Sequence, residues 1–370
     1  MNSQYIERVN HLKMKPNQKK IAHKCLIQFE KGFSNIEDLR TEISSCLATE
    51  NNLWLSYDED AGIERLTSTE NGYDHHKHYE LFDFFDLPAE DNEVDMEALA
   101  YEEPYLWFCG SMSLKRNSPS TEDSLGKQLN SLSDVAIDEN RFSLGRIPCI
   151  KKNGTYELLK ETEYNGEKIT ARMLRGGTKS TELHNALMTD EHLERFMMIP
   201  CKDNGFDIEG LAIYNQRIFI GLRGPVLNGY AIILEIGCKE FDGELLLTKN
   251  SEEGKLYRKH FIDLNGMGIR ELNITKNGDL YLLAGPTMDL DGTISIYKIK
   301  GGLPDNHASV IHEPKRLFDV ARGAELEHGA DKAEGMAFLP NGKLLITYDS
   351  PVPGRLEGNT GIWMDCYDLD

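Results

Sequence analysis

Short apolar runs separated by polar turns recur along the chain, and four segments share one pattern. They begin at Asp95, Asp207, Gly268 and Lys332. Each carries an early glutamate, then small and aliphatic residues, a polar turn and a second apolar run. Two such runs joined by a tight turn are typical of a β-hairpin. A fifth copy begins at Ile43 and has serine in place of the glutamate.

Further apolar runs extend the later copies. In the three C-terminal copies a third run follows a glycine-containing loop, at residues 229–236, 292–299 and 361–369. A fourth run follows two of these, around 259–264 and 315–320. Repeated units of four antiparallel strands are the blades of a β-propeller. The pattern therefore predicts an all-β fold, a propeller of five or six four-stranded blades.

The spacing of the repeats favours six blades over five. The lead glutamates are Glu97, Glu209, Glu271 and Glu334, with intervals of 112, 62 and 63 residues. The long first interval has room for an irregular blade or an insertion over residues 141–199. Periodic leucines within it, at 183, 187 and 193, predict a helix near residues 180–196.

The two ends of the chain complement each other. The chain ends on a third-strand pattern, and an orphan apolar run, KCLIQFE, precedes the first copy. Because an open sheet edge invites aggregation, we expect this N-terminal strand to complete the last blade and close the ring. Residues 1–20, with clustered lysines, are predicted to be a basic arm, and residues 21–370 a single propeller domain.

Composition narrows the functional classes. The chain has 370 residues, 41 basic against 61 acidic side chains and a net charge of −20, which disfavours nucleic acid as the main partner. No apolar run is long enough for a membrane span, and the N-terminus has no apolar signal region. Seven scattered cysteines without a CxxC pair predict reduced core thiols and a cytoplasmic protein.

The hairpin geometry predicts a charged channel mouth. In an antiparallel hairpin the start of the first strand and the end of the second lie at the same rim. The side chains expected there are Glu97, Glu209, Glu271, Glu334, Asp58, Arg223 and Asp349. A guanidinium in such a site suits an anionic group, so we expect a small anionic ligand or a partner protein to bind. The alternative is structural: each glutamate accepts backbone N–H groups of the next blade, and Arg223 neutralises the neighbouring glutamates.

A calcium site is a second expectation for this mouth. Asp203, Asn204, Asp207 and Glu209 follow one another closely and carry the hard oxygen ligands that calcium prefers. A calcium-dependent phosphoester or lactone hydrolase is an alternative function, with Glu209 as base and Arg223 holding an oxyanion. A subunit of a larger assembly is another. No nucleophile or nucleotide-binding motif is present, and His75, His76 and His78 are expected in a solvated loop.

The segment from Phe196 to Ile236 resembles a bacterial family known as domain of unknown function 3616. The segments around Gly268 and Lys332 are similar to later signatures of the same family. The resemblance implies a β-propeller-like fold and no particular activity. More remotely, the Glu-Gly pairs at residues 209–210 and 334–335 are similar to those of phytase-like propellers. Acidic channel residues hold calcium there, whereas Ala98 and Leu272 depart from the pattern.

Overall fold

Antiparallel strands dominate the described part of the chain. The structure is a computed structural model that describes residues 17–57, 60–89, 94–250, 254–288, 290–321 and 329–369. The first strand is β1 (His23–Gln28), and the short helix α1 (Ile36–Thr41) leads into the first repeat unit. No helix in the described residues is long and apolar enough to cross a membrane.

The first unit is a four-stranded meander. Its strands are β2 (Ile43–Thr49), β3 (Asn52–Tyr57), β4 (Gly62–Ser68) and β5 (Gly72–Glu80). Each strand pairs antiparallel with the next. The two inner strands are buried along nearly their whole length, because both faces of this sheet pack against neighbours.

The second unit has the same order but a longer interruption. The inner strands are β6 (Met96–Glu102) and β7 (Tyr105–Gly110), and an excursion follows with β8 (Lys115–Arg116), α2 (Leu125–Ser133) and β9 (Val135–Ala136). The outer strands are β10 (Leu144–Lys152) and β11 (Thr155–Leu158), which complete the order β11–β10–β7–β6.

An insertion separates the second unit from the third. It contains β12 (Glu161–Tyr164), β13 (Glu167–Thr170), β14 (Arg172–Met173), β15 (Gly176–Gly177), β16 (Ser180–Thr181) and α3 (Glu182–Leu187). The long interval after Glu97 is therefore filled by outer strands and small hairpins, not by a sixth four-stranded unit among the described residues. The helix expected over 180–196 ends at Leu187, and turns follow it. Thr181 caps its N-terminus by accepting the His184 N–H.

The third and fourth units follow the insertion. The third has β17 (Asp207–Tyr214), β18 (Arg217–Gly224), β19 (Tyr230–Ile236), a side hairpin of β20 (Cys238–Phe241) and β21 (Glu244–Leu247), and β22 (Tyr257–Asp263). The fourth has β23 (Gly268–Ile274), β24 (Leu280–Gly285), β25 (Ser295–Ile299), β26 (Ser309–Ile311) and β27 (Lys315–Asp319). Strand β26 leaves its own unit and pairs parallel with β22.

The last unit combines both ends of the chain. Its strands are β28 (Lys332–Phe338), β29 (Leu344–Asp349), β30 (Leu356–Glu357) and β31 (Gly361–Tyr367). Strand β1 pairs antiparallel with β31, from His23 opposite Cys366 to Gln28 opposite Gly361. It also pairs parallel with β5 over two residues, which joins the first and last units into one sheet. The sheets are therefore not all separate four-stranded blades.

The five first strands lie side by side. They contact one another in the order β2, β6, β17, β23, β28 and back to β2. Apolar side chains between neighbouring units form the core, and the largest cluster includes residues of β1 such as Cys25 and Ile27. All seven cysteines are free thiols, and six are buried.

Candidate functional site

Each of the five first strands carries a β-bulge at the same place. In β17, Ile208 pairs with Leu222 and Gly210 pairs with Gly221, so Glu209 has no partner across the hairpin. The same break in register occurs in β2, β6, β23 and β28. A bulge inserts one unpaired residue and re-aims its side chain. The residues at this position are Ser44, Glu97, Glu209, Arg270 and Glu334.

The bulges correct the sequence alignment by one residue in the fourth unit. Arg270, not Glu271, occupies the position of the other lead glutamates there. Glu271 instead corresponds to Gly210 and Gly335, the residues after the bulge. The four predicted glutamate positions therefore hold three glutamates and an arginine. In the copy that begins at Gly268 the glutamate comes one residue later, so Arg270 takes the bulged position.

Four of the bulged residues, Glu97, Glu209, Arg270 and Glu334, line one cavity of about 450 Å³, whereas the Ser44 hydroxyl donates to the Met96 carbonyl. The structure brings five of the predicted residues together in the cavity wall: Glu97, Glu209, Arg223, Glu334 and Asp349. Other charged lining residues are Asp95, Lys115, Arg116, Arg141, Lys202, Asp207, Arg270 and Lys332. The cavity thus contains side chains of both charges in nearly equal number.

Burial divides this cavity into a floor and a rim. Asp95, Arg141, Asp207, Glu209 and Arg270 are buried and form the floor. Lys115 and Lys202 are exposed, and Arg116 is half-buried beside them. The rim is therefore basic, with Arg116 paired to the exposed Asp203 at 2.8 Å. The excursion of the second unit and the segment before β17 supply these rim residues.

Arg223 joins two carboxylates at the floor. Its Nη2 lies 2.5 Å from Asp207 Oδ2, and its Nη1 lies 2.5 Å from Glu209 Oε1. The fork of a guanidinium matches this arrangement of two acceptors. The position follows from the hairpin, because Arg223 lies at the end of β18 beside the start of β17.

Arg270 is the second cation of the floor. Its Nη1 lies 2.5 Å from Glu334 Oε1 and 3.8 Å from Glu209 Oε2. A third pair, between Arg141 Nη1 and Asp95 Oδ2 at 3.0 Å, lies in the same cavity. Buried ion pairs of this kind need every partner, since a lone buried charge is strongly destabilising.

Burial raises the pKa values of three carboxyls in the cavity. It raises the pKa of Asp207 to about 6 and that of Glu209 to about 7, although nearby arginines oppose both shifts. The pKa of Asp349 also rises to about 7, through burial and the neighbouring Glu334. The cause is desolvation, which disfavours the ionised form. These three groups therefore exchange protons near neutral pH.

Glu271 does not line the cavity but lies behind its wall. Its side chain is 1% exposed, and its Oε2 accepts a hydrogen bond from Ser45 Oγ at 2.7 Å. Its Oε1 accepts from the Leu272 N–H at 2.8 Å, and the backbone of Leu211 donates to the carboxyl as well. These partners belong to three different units, and burial raises the pKa of Glu271 far above its usual value. Glu271 thus accepts backbone N–H groups of its own unit and of a neighbouring one, which is the structural role considered for the lead glutamates.

Small residues after the bulge allow the units to approach. A Cβ atom at Gly335 would overlap the Thr347 hydroxyl and would lie 2.9 Å from the Cys46 nitrogen in the next unit. A Cβ atom at Gly210 would lie 2.9 Å from Leu272 Cγ. The glycines of the two Glu-Gly pairs are therefore required by packing.

The four residues expected to bind calcium do not gather. Asp203 pairs with Arg116 at 2.8 Å, and Asn204 accepts the Val226 N–H at 3.4 Å. Neither lines the cavity in which Asp207 and Glu209 lie. Within the described ranges, no group of three or more acidic, histidine or cysteine side chains is placed to hold a metal ion. The four residues therefore do not form one ligand set, and Asp58 lies outside the described residues.

Sequence reasoning missed part of the floor. Asp95 precedes Glu97 by two residues, which is the spacing of Asp207 and Glu209, so this signal was available in the repeat. Arg141 carried no signal, because it comes from a short 3₁₀ helix (Glu139–Arg141) before β10.

The histidine cluster lies in a strand and not in a solvated loop. His76 Nε2 and His78 Nδ1, both in β5, lie 2.5 and 2.6 Å from the oxygens of the fully buried Glu64. His75 has a positive φ. The Glu64 hydrogen bonds raise the pKa of His78 to about 9 against the opposing effect of burial. This cluster is separate from the cavity lining.

One family model matches most of the chain. The family model described as "Protein of unknown function (DUF3616)" matches residues 42–365. The chain belongs to this family, as the resemblance implied. No curated protein matches it.

The solved structures that are similar to this chain are distant. Glutaminyl cyclase of Myxococcus xanthus has 9% identity and a TM-score of 0.42, over 96% of this chain and 100% of that one. A putative oxidoreductase (glucose dehydrogenase) of Thermus thermophilus has 12% identity and a TM-score of 0.38, over 93% and 100%. The Cps50 (Swd1) β-propeller domain of Myceliophthora thermophila has 9% identity and a TM-score of 0.35, over 95% and 99%. These likenesses carry no argument about function.

Proposed function

We propose that the five units form a five-bladed propeller and that the chain binds a small anionic molecule at the basic rim of its central cavity. The circular order of contacts among the five first strands supports the blade count. The pairing of β1 with β31 supports closure by the N-terminal strand. Binding residues often lie on loops that a rigid scaffold positions, as the rim residues do here.

One observation carries the binding proposal: three cationic side chains, Lys115, Arg116 and Lys202, stand at the entrance of a cavity of about 450 Å³. Two of them are exposed, so a ligand reaches them without any rearrangement of the core. The volume suits a small molecule rather than a folded segment. An anionic group at the rim would lie over these cations, and its attraction would be screened by salt.

The experiment uses inorganic phosphate as the probe and Lys202→Glu as the variant. Phosphate is expected to raise the melting temperature of the unaltered chain above that in sodium chloride of equal ionic strength. The effect should disappear in Lys202→Glu, because the substitution reverses a charge at the entrance. Lys239→Glu is the matched control, since Lys239 is an exposed lysine of the β20 hairpin that does not line the cavity.

Equal phosphate effects in all three proteins, or none in any, would contradict the proposal. The same assay with calcium chloride and with a chelator tests the calcium expectation and the hydrolase alternative derived from it. Because no donor set for a metal gathers in the described residues, calcium is expected to leave the melting temperature unchanged.

A further inference from the structure

The floor of the cavity carries acceptor oxygens that no side chain of the protein satisfies. Asp207 Oδ1 and Glu209 Oε2 are buried and accept no hydrogen bond, and their residues are only 1% and 4% exposed. The Ser113 hydroxyl interacts with Asp207 and lowers its pKa, but the hydrogen bond that it donates goes to Ser111 at 3.0 Å. Arg270 Nη1 is 3.8 Å from Glu209 Oε2, which is too long for a hydrogen bond. Buried acceptors without donors are costly, so they point to a missing partner.

The charge balance of the floor indicates the sign of that partner. The carboxylates that line the cavity are Asp95, Asp207 and Glu209 in the floor and the half-buried Glu97, Glu334 and Asp349. The cations among them are Arg141, Arg223, Arg270 and Lys332. Away from the rim, six negative charges against four positive ones leave an excess of two when every group is ionised, whereas Lys115, Arg116 and Lys202 bring the whole lining to seven positive charges. Water can satisfy an acceptor oxygen without neutralising this excess, which protons on the carboxyls or a bound cation can do.

The number of free oxygens indicates which kind of cation fits. A metal ion requires several oxygen ligands around one point, and the described residues hold no such group. An alkylammonium group instead needs two or three acceptors within hydrogen-bond distance. Asp207 and Glu209 provide two, because Arg223 holds both carboxylates and leaves their far oxygens unsatisfied.

From these observations we infer that the ligand is a small zwitterion whose primary ammonium group binds between Asp207 and Glu209. Its anionic group then lies at the basic rim formed by Lys115, Arg116 and Lys202. This inference rests on the proposed function for the rim and adds the ligand class. The acidic floor and the basic rim would orient such a molecule along the cavity, with the ammonium end buried.

Binding of an ammonium group at this floor is coupled to proton release. The pKa values of about 6 for Asp207 and about 7 for Glu209 mean that protons occupy the pair at mildly acidic pH. The ammonium must replace them, so its affinity increases as pH rises through 7. The titratable and charged groups around the pair on neighbouring elements are Asp95, Glu97, Arg141, Cys201, Arg223, Arg270, Glu271 and Glu334.

Three probes of equal chain length separate the two halves of the inference: n-hexylammonium, hexanoate and 6-aminohexanoate. Titration calorimetry of the full chain is expected to show the tightest binding for 6-aminohexanoate. The affinity for hexylammonium should rise on the order of tenfold from pH 5.5 to 7.5, since an alkylammonium stays charged throughout. Parallel titrations in two buffers of different ionisation enthalpy should show that protons leave the protein.

The variants Asp207→Asn and Glu209→Gln keep the size of each side chain and remove its charge. Each is expected to weaken hexylammonium binding on the order of tenfold or more, while phosphate binding at the rim persists. Glu271→Gln is the matched control, because Glu271 is a buried glutamate of the same repeat that does not line the cavity. Circular dichroism tests whether each variant is folded. If one of the two variants does not fold, the other still tests the ammonium site.

The outcomes distinguish the two proposals. Hexylammonium binding that is absent, that is equal in all variants, or that weakens as pH rises would overturn the ammonium site. If phosphate and hexanoate still bind to the unaltered chain and this binding is lost in Lys202→Glu, the rim proposal stands without the ammonium site. Hexylammonium binding without any effect of Lys202→Glu on phosphate would instead contradict the rim proposal and the zwitterion with it.

Discussion

Glu209 and Glu271 begin two copies of the same repeat, yet they lie in different environments. Glu209 projects from a β-bulge into a cavity and meets Arg223. Glu271, one position further along its copy, turns away from the cavity and binds Ser45 and the backbone of two strands. A shift of one residue in register thus separates a side chain that lines the cavity from one that forms hydrogen bonds between units.

The comparison shows why one bulged side chain of the cavity is positively charged. In the fourth unit the bulged position is Arg270, so an arginine enters a ring that would otherwise contain mostly carboxylates. It pairs with Glu334 of the next unit and lies near Glu209 of the preceding one. The shifted copy therefore neutralises the carboxylates on both sides.

Loss of Arg270 should have the largest effect on this arrangement. Arg270→Met removes the buried cation and leaves Glu209 and Glu334 without it, so we expect the free energy of unfolding at pH 8 to fall by about 3–5 kcal/mol. The loss should be smaller at pH 5, where the carboxyls accept protons. Chemical denaturation at both pH values measures it.

The control for Arg270 is Arg175→Met. Arg175 forms an ion pair with Glu244 in which both side chains are 43% exposed, so its loss should cost about 0–1 kcal/mol. Equal costs for the two substitutions would show that Arg270 is not a required cation of the cavity.

The pH dependence of stability should separate the two glutamates. Glu209 has a pKa of about 7 in the fold against a usual value of 4.5, so its contribution to stability is complete below pH 4.5 and is lost as pH rises through 7. The pKa of Glu271 is raised much further, so its contribution continues to fall above pH 7. We expect Glu209→Gln to flatten the decline between pH 4.5 and 7, by on the order of 2–3 kcal/mol.

Glu271→Gln is the partner of that experiment. This substitution should flatten the decline of the free energy of unfolding both below and above pH 7, because the pKa of Glu271 is raised well above its usual value. Urea denaturation from pH 4.5 to 9 records both curves. A Glu209→Gln curve parallel to that of the unaltered chain throughout this range would refute the assignment of Glu209 as a group that titrates in the cavity.

Packing after the bulge gives the smallest of the three effects. Gly335→Ala places a methyl group against Thr347 and Cys46, so we expect a loss of about 1–3 kcal/mol. Gly354→Ala is the control, because a Cβ atom there has no neighbour within 4 Å. Thermal unfolding gives the stabilities of the two variants. If Gly335→Ala is as stable as the control, the last and first units do not approach as closely at Gly335 as the structure shows.

Much of the fold was predictable because strand patterns are local in the sequence. Apolar runs bounded by turns identified the inner hairpins, and the orphan run KCLIQFE indicated the strand that pairs with β31. The helix over 180–196 was overestimated, since Leu187 and Leu193 are both buried although only the first lies in a helix. Periodic apolar residues report burial, and a turn can bury its leucines as well as a helix can.

By itself the sequence determined the repeat, the all-β class and the acidic and basic residues that gather at one end of the hairpins. Only the tertiary structure decided which of them face the cavity. A bulge is a mismatch between two strands, so it appears only when both are paired, and it moved Arg270 into the ring and Glu271 out of it. Burial then set the pKa values of Asp207 and Glu209, because desolvation depends on atoms that are distant in the chain.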